Sequence, residues 1–284
     1  MAHPQDTALP VPYTSRLQEK INSGQTLFVH GKALENANFF TVNLLAGTPV
    51  IDPNVGAVAL HINVRFAEGK IVLNTLENGN WGKEERVSTP FKPGQEFDLR
   101  IRAQDDKFEI IANQKEIHEY KYRVPLESID FLNVVGDINL TGIHWGGRHF
   151  ELPFQTGFPT GSLKAGDRIL VYGTPQGKRF EVNFIGPNGD TLVHFNPRFD
   201  QSAVVRNSQI NGQWGQEERE GGFPFKKEVG FDLVIVNEPY SIQFFINNER
   251  YGTFAHRTAN PATDYVGLKI DGEFELTGLE FSHQ

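Results

Sequence analysis

The chain writes one long pattern twice. "HINVRFAEGKIVLNTLENGNWGKEER" (61–86) lies over "HFNPRFDQSAVVRNSQINGQWGQEER" (194–219) without a gap: His61 and His194, Trp81 and Trp214, and Arg86 and Arg219 each stand 133 apart. Downstream the register continues, with "FDLRIR" (97–102) answering "FDLVIV" (231–236) at about 134 and "GDINLTGIHW" (136–145) answering "GEFELTGLEF" (272–281) at 136. Upstream, "GQTLFVHG" (24–31) and "GDRILVYG" (166–173) are 142 apart, so the first copy carries about nine extra residues around "AGTPVIDPNVGAV". An internal repeat of this length means a duplicated domain, and 284 residues suffice for two. The expected layout is a loose tail at 1–10, a first domain at 11–146, a short linker at 147–151 and a second domain at 152–284.

Inside each copy the period is two. "EFDLRIR" sets Phe97, Leu99 and Ile101 on one face and Asp98, Arg100 and Arg102 on the other. Asn-containing turns close "KFEIIAN" and "IQFFINN", and no window carries an apolar stripe of helical period, "SRLQEKI" coming nearest. With 23 Phe, 28 Gly and 16 Pro, the chain is expected to be all-β, each half an antiparallel β-sandwich.

Residues repeated in the core say little, because a duplicated domain repeats its core. The informative ones recur although the alternation points them to solvent: His61 and His194, Asn63 and Asn196, Arg65 and Arg198, Asn74 and Asn207, Trp81 and Trp214, Glu84 and Glu217, Arg86 and Arg219. Glu84 and Arg86 are two apart and share a face, while Glu85 points away. A carboxylate between Arg65 and Arg86 would be held by forked, charge-assisted hydrogen bonds. Beside that grid of donors and acceptors, Trp81 offers a flat apolar plane. Sugars ask for this combination, since hydroxyls need fixed donors and acceptors and the C–H face of a pyranose needs an apolar surface.

Other chemistries find less support. A formal net charge of -8 disfavours nucleic acid or an anionic membrane as partner. There is no cysteine, so neither disulfides nor thiolate metal sites arise. No H-E-x-x-H or G-x-S-x-G occurs, and "GTPQGKR" (173–179) falls short of a phosphate loop. The adjacent Glu84 and Glu85 face opposite ways on a strand and cannot flank one glycosidic bond, so no enzyme is expected. The N-terminus shows no signal peptide and no stretch is long enough to span a bilayer. The protein is expected in the cytosol and, where it acts outside the cell, to leave by another route.

"HFNPRF…VVRNS…WGQEER" resembles the signature of the galectins, the β-galactoside-binding lectins, and "HINVRF…IVLN…WGKEER" is a looser version of it. The duplication is similar to that of the tandem-repeat galectins, and the "PVPYTSRLQ" opening is similar to that of their nematode members. The resemblance implies two jelly-roll-like sandwiches. It implies that His194, Asn196 and Arg198 bind the axial 4-hydroxyl of galactose, Asn207 and Glu217 the 6-hydroxyl, and Trp214 the apolar face. Glu217 with Arg198 and Arg219 would reach the neighbouring sugar. The first copy would use His61, Asn63, Arg65, Asn74, Trp81, Glu84 and Arg86 likewise. No metal or cofactor is implied, and the expected role is cross-linking of galactose-bearing glycoproteins and glycolipids, the alternative being a scaffold with little or no sugar binding; a homodimer is left open as a partner. The copies are expected to differ beyond the galactose, because the brace of the arginine differs: Glu68 is the candidate for Arg65 and Asp200, at a non-equivalent position, for Arg198. Ile62 and Val64, which replace Phe and Pro of the commoner signature, should point inward.

Overall fold

Wherever apolar and polar residues alternate between Gly, Asn and Pro turns, the computed structural model, which describes residues 8–283, runs as antiparallel strand. The chain divides into two units between Arg148 and His149. In order, the first contains β1 (Tyr13–Arg16), β2 (Thr26–Ala33), β3 (Phe39–Ala46), β4 (Ala57–Arg65), β5 (Lys70–Glu77), β6 (Asn80–Trp81), β7 (Glu85–Ser88), β8 (Glu96–Ala103), β9 (Lys107–Ala112), β10 (Lys115–Lys121), β11 (Phe131–Gly136) and β12 (Ile138–Gly146). One sheet runs β1-β11-β3-β4-β5-β6, with β7 also on β5; the other runs β10-β9-β8-β2-β12. Phe40, Val42, Leu60, Ile62, Val64 and Leu73 from the first sheet meet Leu27, Val29, Leu99, Ile101 and Ile110 from the second in one apolar cluster. Ile62 and Val64 are fully buried there, pointing inward as the alternation requires.

The second unit contains β13 (Phe154–Gly157), β14 (Asp167–Ile185), β15 (Thr191–Arg198), β16 (Ala203–Asn207), β17 (Gln209–Ile210), β18 (Gln213–Trp214), β19 (Phe231–Asn237), β20 (Ser241–Ile246), β21 (Glu249–Ala255) and β22 (Gly267–His283). Here β14 and β22 are continuous where the first unit has two strands each. The first part of β14 pairs with β19 and the end of β22, and its last part with β15 and the beginning of β22. Each unit needs a glycine at this passage. Gly136 and Gly272 have φ of 125° and 119°, and a Cβ on either would stand 2.5 and 2.4 Å from the Cα of Phe40 and Phe180.

One sequence expectation is corrected, at the N-terminal end. Residues 1–7 of the expected tail lie outside the described residues, but Leu9 is tied down: its N–H donates to the Leu140 carbonyl at 2.7 Å and its side chain rests on the core. The outer face of β8 is covered, with Arg100 and Arg102 both buried. Arg100 forks onto Asp98 (2.9 and 2.8 Å) and covers the Phe28 ring, while Arg102 donates to the carbonyls of Gly24 and Arg148. "SRLQEKI", the nearest approach to a helical stripe, forms no helix; among the described residues the one helical turn is Leu126–Ser128. The copies also diverge after the tryptophan. β7 makes four ladder pairs with β5, whereas the second unit keeps a single bridge, Arg206 to Glu218. The reason is local: Gly221 and Gly222, in "EREGGFPF" against "ERVSTPF", both adopt positive φ and end the strand.

Candidate functional site

The repeated residues converge in each unit; in the first they lie on or beside the sheet of β4 and β5, while in the second Trp214 sits on the separate β17–β18 ribbon. His61 lies directly opposite Asn43 on β3 and Asn74 on β5; His194 lies opposite Asn183 on β14 and Asn207 on β16. Arg65 Nε donates to Asn63 Oδ1 at 2.6 Å and Arg198 Nε to Asn196 Oδ1 at 2.7 Å, so each arginine is aimed by the residue two before it. Trp81 and Trp214 remain 45% and 51% exposed, far too much for core anchors, and each leans over its histidine at a centroid distance of 5.0 or 5.1 Å. The two sites thus share one geometry.

The histidines are set as acceptors. His61 Nδ1 lies 2.6 Å from Asn43 Oδ1, and Asn43 Nδ2 donates to Asn133 Oδ1 at 3.0 Å. With that amide so oriented, Nδ1 carries the proton and Nε2 is left as an acceptor. Burial first, and then the charge of Arg65, lowers the His61 pKa to about 4; burial and Arg198 do the same to His194, also to about 4. Both rings are neutral at neutral pH. Asn183 Oδ1 takes the role of Asn43 in the second unit, at 2.6 Å from His194 Nδ1.

Around the arginines lies a grid of alternating charge. Arg86 donates to Glu84 Oε2 from Nε and Nη2 (3.1 and 2.7 Å), and Arg219 holds Glu217 in the same way. These arginines hold the Glu84 and Glu217 carboxyls below the usual carboxylate range. Glu68 braces the first site, reaching Arg65 Nη1 at 3.4 Å and Arg86 Nη1 at 3.1 Å. Asp200 does not brace Arg198. It is occupied by Arg179 (3.1 and 2.8 Å), and the residue beneath Arg198 and Arg219 is Gln201, whose Oε1 accepts from both (3.2 and 2.8 Å). Gln201 is the repeat partner of Glu68, so the equivalence is kept and the charge is not.

The profile of galactoside-binding lectins matches residues 12–145 and 153–281, one match per unit. The chain belongs to this family. It is 50% identical over 282 residues to a 32 kDa beta-galactoside-binding lectin of Caenorhabditis elegans, covering 99% of both chains. It is 49% identical to a 32 kDa beta-galactoside-binding lectin of Haemonchus contortus, with 95% of each covered, and 33% identical to human Galectin-4, also with 95% of each.

In this lectin-family chain the geometry adds residues that the alternation did not single out. Arg123, in the loop after β10, reaches under the site: Nη1 donates to Asn74 Oδ1 (2.9 Å), and Nη2 to the Lys83 carbonyl and Glu85 Oε2 (2.7 and 2.8 Å). Arg257 repeats this on Asn207, the Gln216 carbonyl and Glu218 at 2.8, 2.7 and 2.8 Å. Asn74 also donates to the Gly82 carbonyl at 2.9 Å, so the asparagine and the turn after the tryptophan form one hydrogen-bonded unit. The same arginine passes close over the glycine after each tryptophan: a Cβ on Gly82 or Gly215 would stand 2.8 or 2.9 Å from its Nη1 and displace it. The signal was present, since Arg123 and Arg257 are 134 apart, the spacing of the flanking strands.

The tryptophan hairpins have different neighbours. In the first unit the extra residues form the β3–β4 connection, which brings the Pro53 carbonyl within 3.0 Å of where a Gly79 Cβ would be. In the second, the Asp190 carboxylate accepts the N–H groups of Asn211 and Gly212 at 2.7 and 3.0 Å.

Proposed function

We propose that each unit holds one β-galactoside and that the chain, carrying two such sites, cross-links galactose-bearing glycoproteins and glycolipids. The observation that carries this is the exposed indole standing at the same distance from a neutral, acceptor-set histidine in both units. A galactose ring laid on Trp81 would present its axial 4-hydroxyl to His61 Nε2, Asn63 and Arg65, and its 6-hydroxyl to Asn74 and Glu84. Glu84, Arg65 and Arg86 would meet the next sugar. His194, Asn196, Arg198, Asn207, Trp214, Glu217 and Arg219 take the same parts in the second unit. The chemistry is direct hydrogen bonding and stacking, so chelators are expected to leave binding unchanged.

A disaccharide of about 23 heavy atoms at roughly 0.3 kcal/mol per atom gives a Kd near 10 μM at best, and an open polar site falls short of that, on the order of 100 μM. Calorimetric titration of lactose tests the reading. The intact chain should bind two equivalents, Trp81→Ala and Trp214→Ala one each, and the double variant none. An intact chain that evolves no heat at millimolar lactose would leave the non-binding scaffold as the better reading.

A further inference from the structure

The oxygen that lies between two guanidiniums differs in charge between the copies. In the first unit it belongs to a carboxylate, Glu68, 3.4 Å from Arg65 Nη1 and 3.1 Å from Arg86 Nη1. In the second it belongs to a neutral amide, Gln201, 3.2 Å from Arg198 Nη1 and 2.8 Å from Arg219 Nη1. The neighbours do not restore the balance. Arg179 stands opposite Arg198 where Phe39 stands opposite Arg65, and the nearby Asp200 is taken up by Arg179 through both carboxylate oxygens. Arg65 and Arg86 therefore face Glu68 and Glu84, whereas Arg179, Arg198 and Arg219 face Asp200 and Glu217; the nearby Glu220, which accepts the Arg219 backbone N–H at 3.1 Å, is paired with Arg206 at 3.2 Å. Lys70, opposite Arg65 in its ladder, carries its ammonium to Ser88 Oγ at 3.1 Å on β7 and does not join the grid. The crowding of cations is visible in Arg198, whose pKa is lowered by burial and by the charge of Arg179.

We propose that the second site prefers galactosides whose neighbouring sugar carries an anionic group, and that the exchange of Glu68 for Gln201 is what separates it from the first. An oxyanion there finds forked N–H donors whose charge the protein has not already cancelled. In the first site the same group meets the Glu68 carboxylate. The proposal rests on the lectin reading above, with the second sugar lying by the arginines.

The test uses the full chain with one site disabled and a matched pair of ligands: lactobionate, galactose joined to open-chain gluconate, and lactitol, its neutral alcohol. With Trp81→Ala, which leaves the second site, lactobionate should bind about two- to fivefold more tightly than lactitol, the range of an exposed ion pair. Added salt should shrink the difference. Gln201→Glu in that background should abolish it. With Trp214→Ala, which leaves the first site, lactobionate should gain nothing, and Glu68→Gln should create the preference. The ratio of the two affinities is the readout, so a general loss of binding in a variant cancels. Equal affinities at the second site, unmoved by Gln201→Glu, would overturn the proposal and leave the lectin reading standing. Failure of both single-site chains to bind lactose would overturn the lectin reading itself.

Discussion

At the scale of the residue, the two histidines carry the sharpest consequence. An ordinary histidine ionises near 6.5, but burial and an adjacent guanidinium hold His61 and His194 neutral down to about 4. Lactose affinity is therefore expected to stay level from about pH 8 to about pH 5 and to fall as pH approaches 4, where a protonated Nε2 no longer accepts. Calorimetry across that range checks it, and a loss centred near 6.5 would contradict it. Stability follows the same linkage: the unfolded chain takes up these protons first, so the folded state weakens as pH drops from 6.5 toward 4. Gly82 supplies a second prediction. Gly82→Ala drives a Cβ against the Arg123 guanidinium and Asn74 Oδ1, at 2.8 and 3.3 Å. Losing those bonds is worth about 1–3 kcal/mol, so the first site should weaken about fivefold or more while the second is untouched. Titration of the variant in the Trp214→Ala background measures it.

At the scale of the element, the site depends on strands that keep register while the chain passes between sheets. Gly136 and Gly272 make that passage, both with positive φ and both against a neighbouring phenylalanine backbone. Gly136→Ala should cost at least about 1–3 kcal/mol and lower the melting of the first unit by about 5 °C or more in calorimetry, with Gly272→Ala doing the same to the second. An unchanged thermogram would mean that the neighbouring strand yields without penalty. The copies also show how a site tolerates a changed element. The β5–β7 ladder of the first unit shrinks to one bridge in the second, yet Glu217 and Arg219 keep the pairing that Glu84 and Arg86 have. Arg257 spans that gap through the Gln216 carbonyl and Glu218, which anchors the segment without a strand.

At the scale of the whole molecule, two weak sites on one chain matter through avidity, which adds about 10²–10⁴ on a glycan-dense surface. The intact chain should precipitate a glycoprotein that bears several terminal galactoses. Trp81→Ala and Trp214→Ala should each bind it without precipitating it. Cross-linking that persists in a one-site variant would reveal self-association of the chain. Much of this molecule is legible along the sequence. The duplication, the strand alternation and the inward turn of Ile62 and Val64 are local patterns of period two, and they survive whatever the strands pack against. The fourteen repeated residues, Trp81 and Trp214 among them, emerged from the same comparison. What only the tertiary structure decided are partnerships between residues far apart in the chain. Arg123 meets Asn74, Asn43 sets the tautomer of His61, Arg100 covers the Phe28 ring on β2, and Arg219 comes to share Gln201 with Arg198. No spacing encodes these, because each depends on which strands become neighbours and on where long side chains find a partner once water has been excluded.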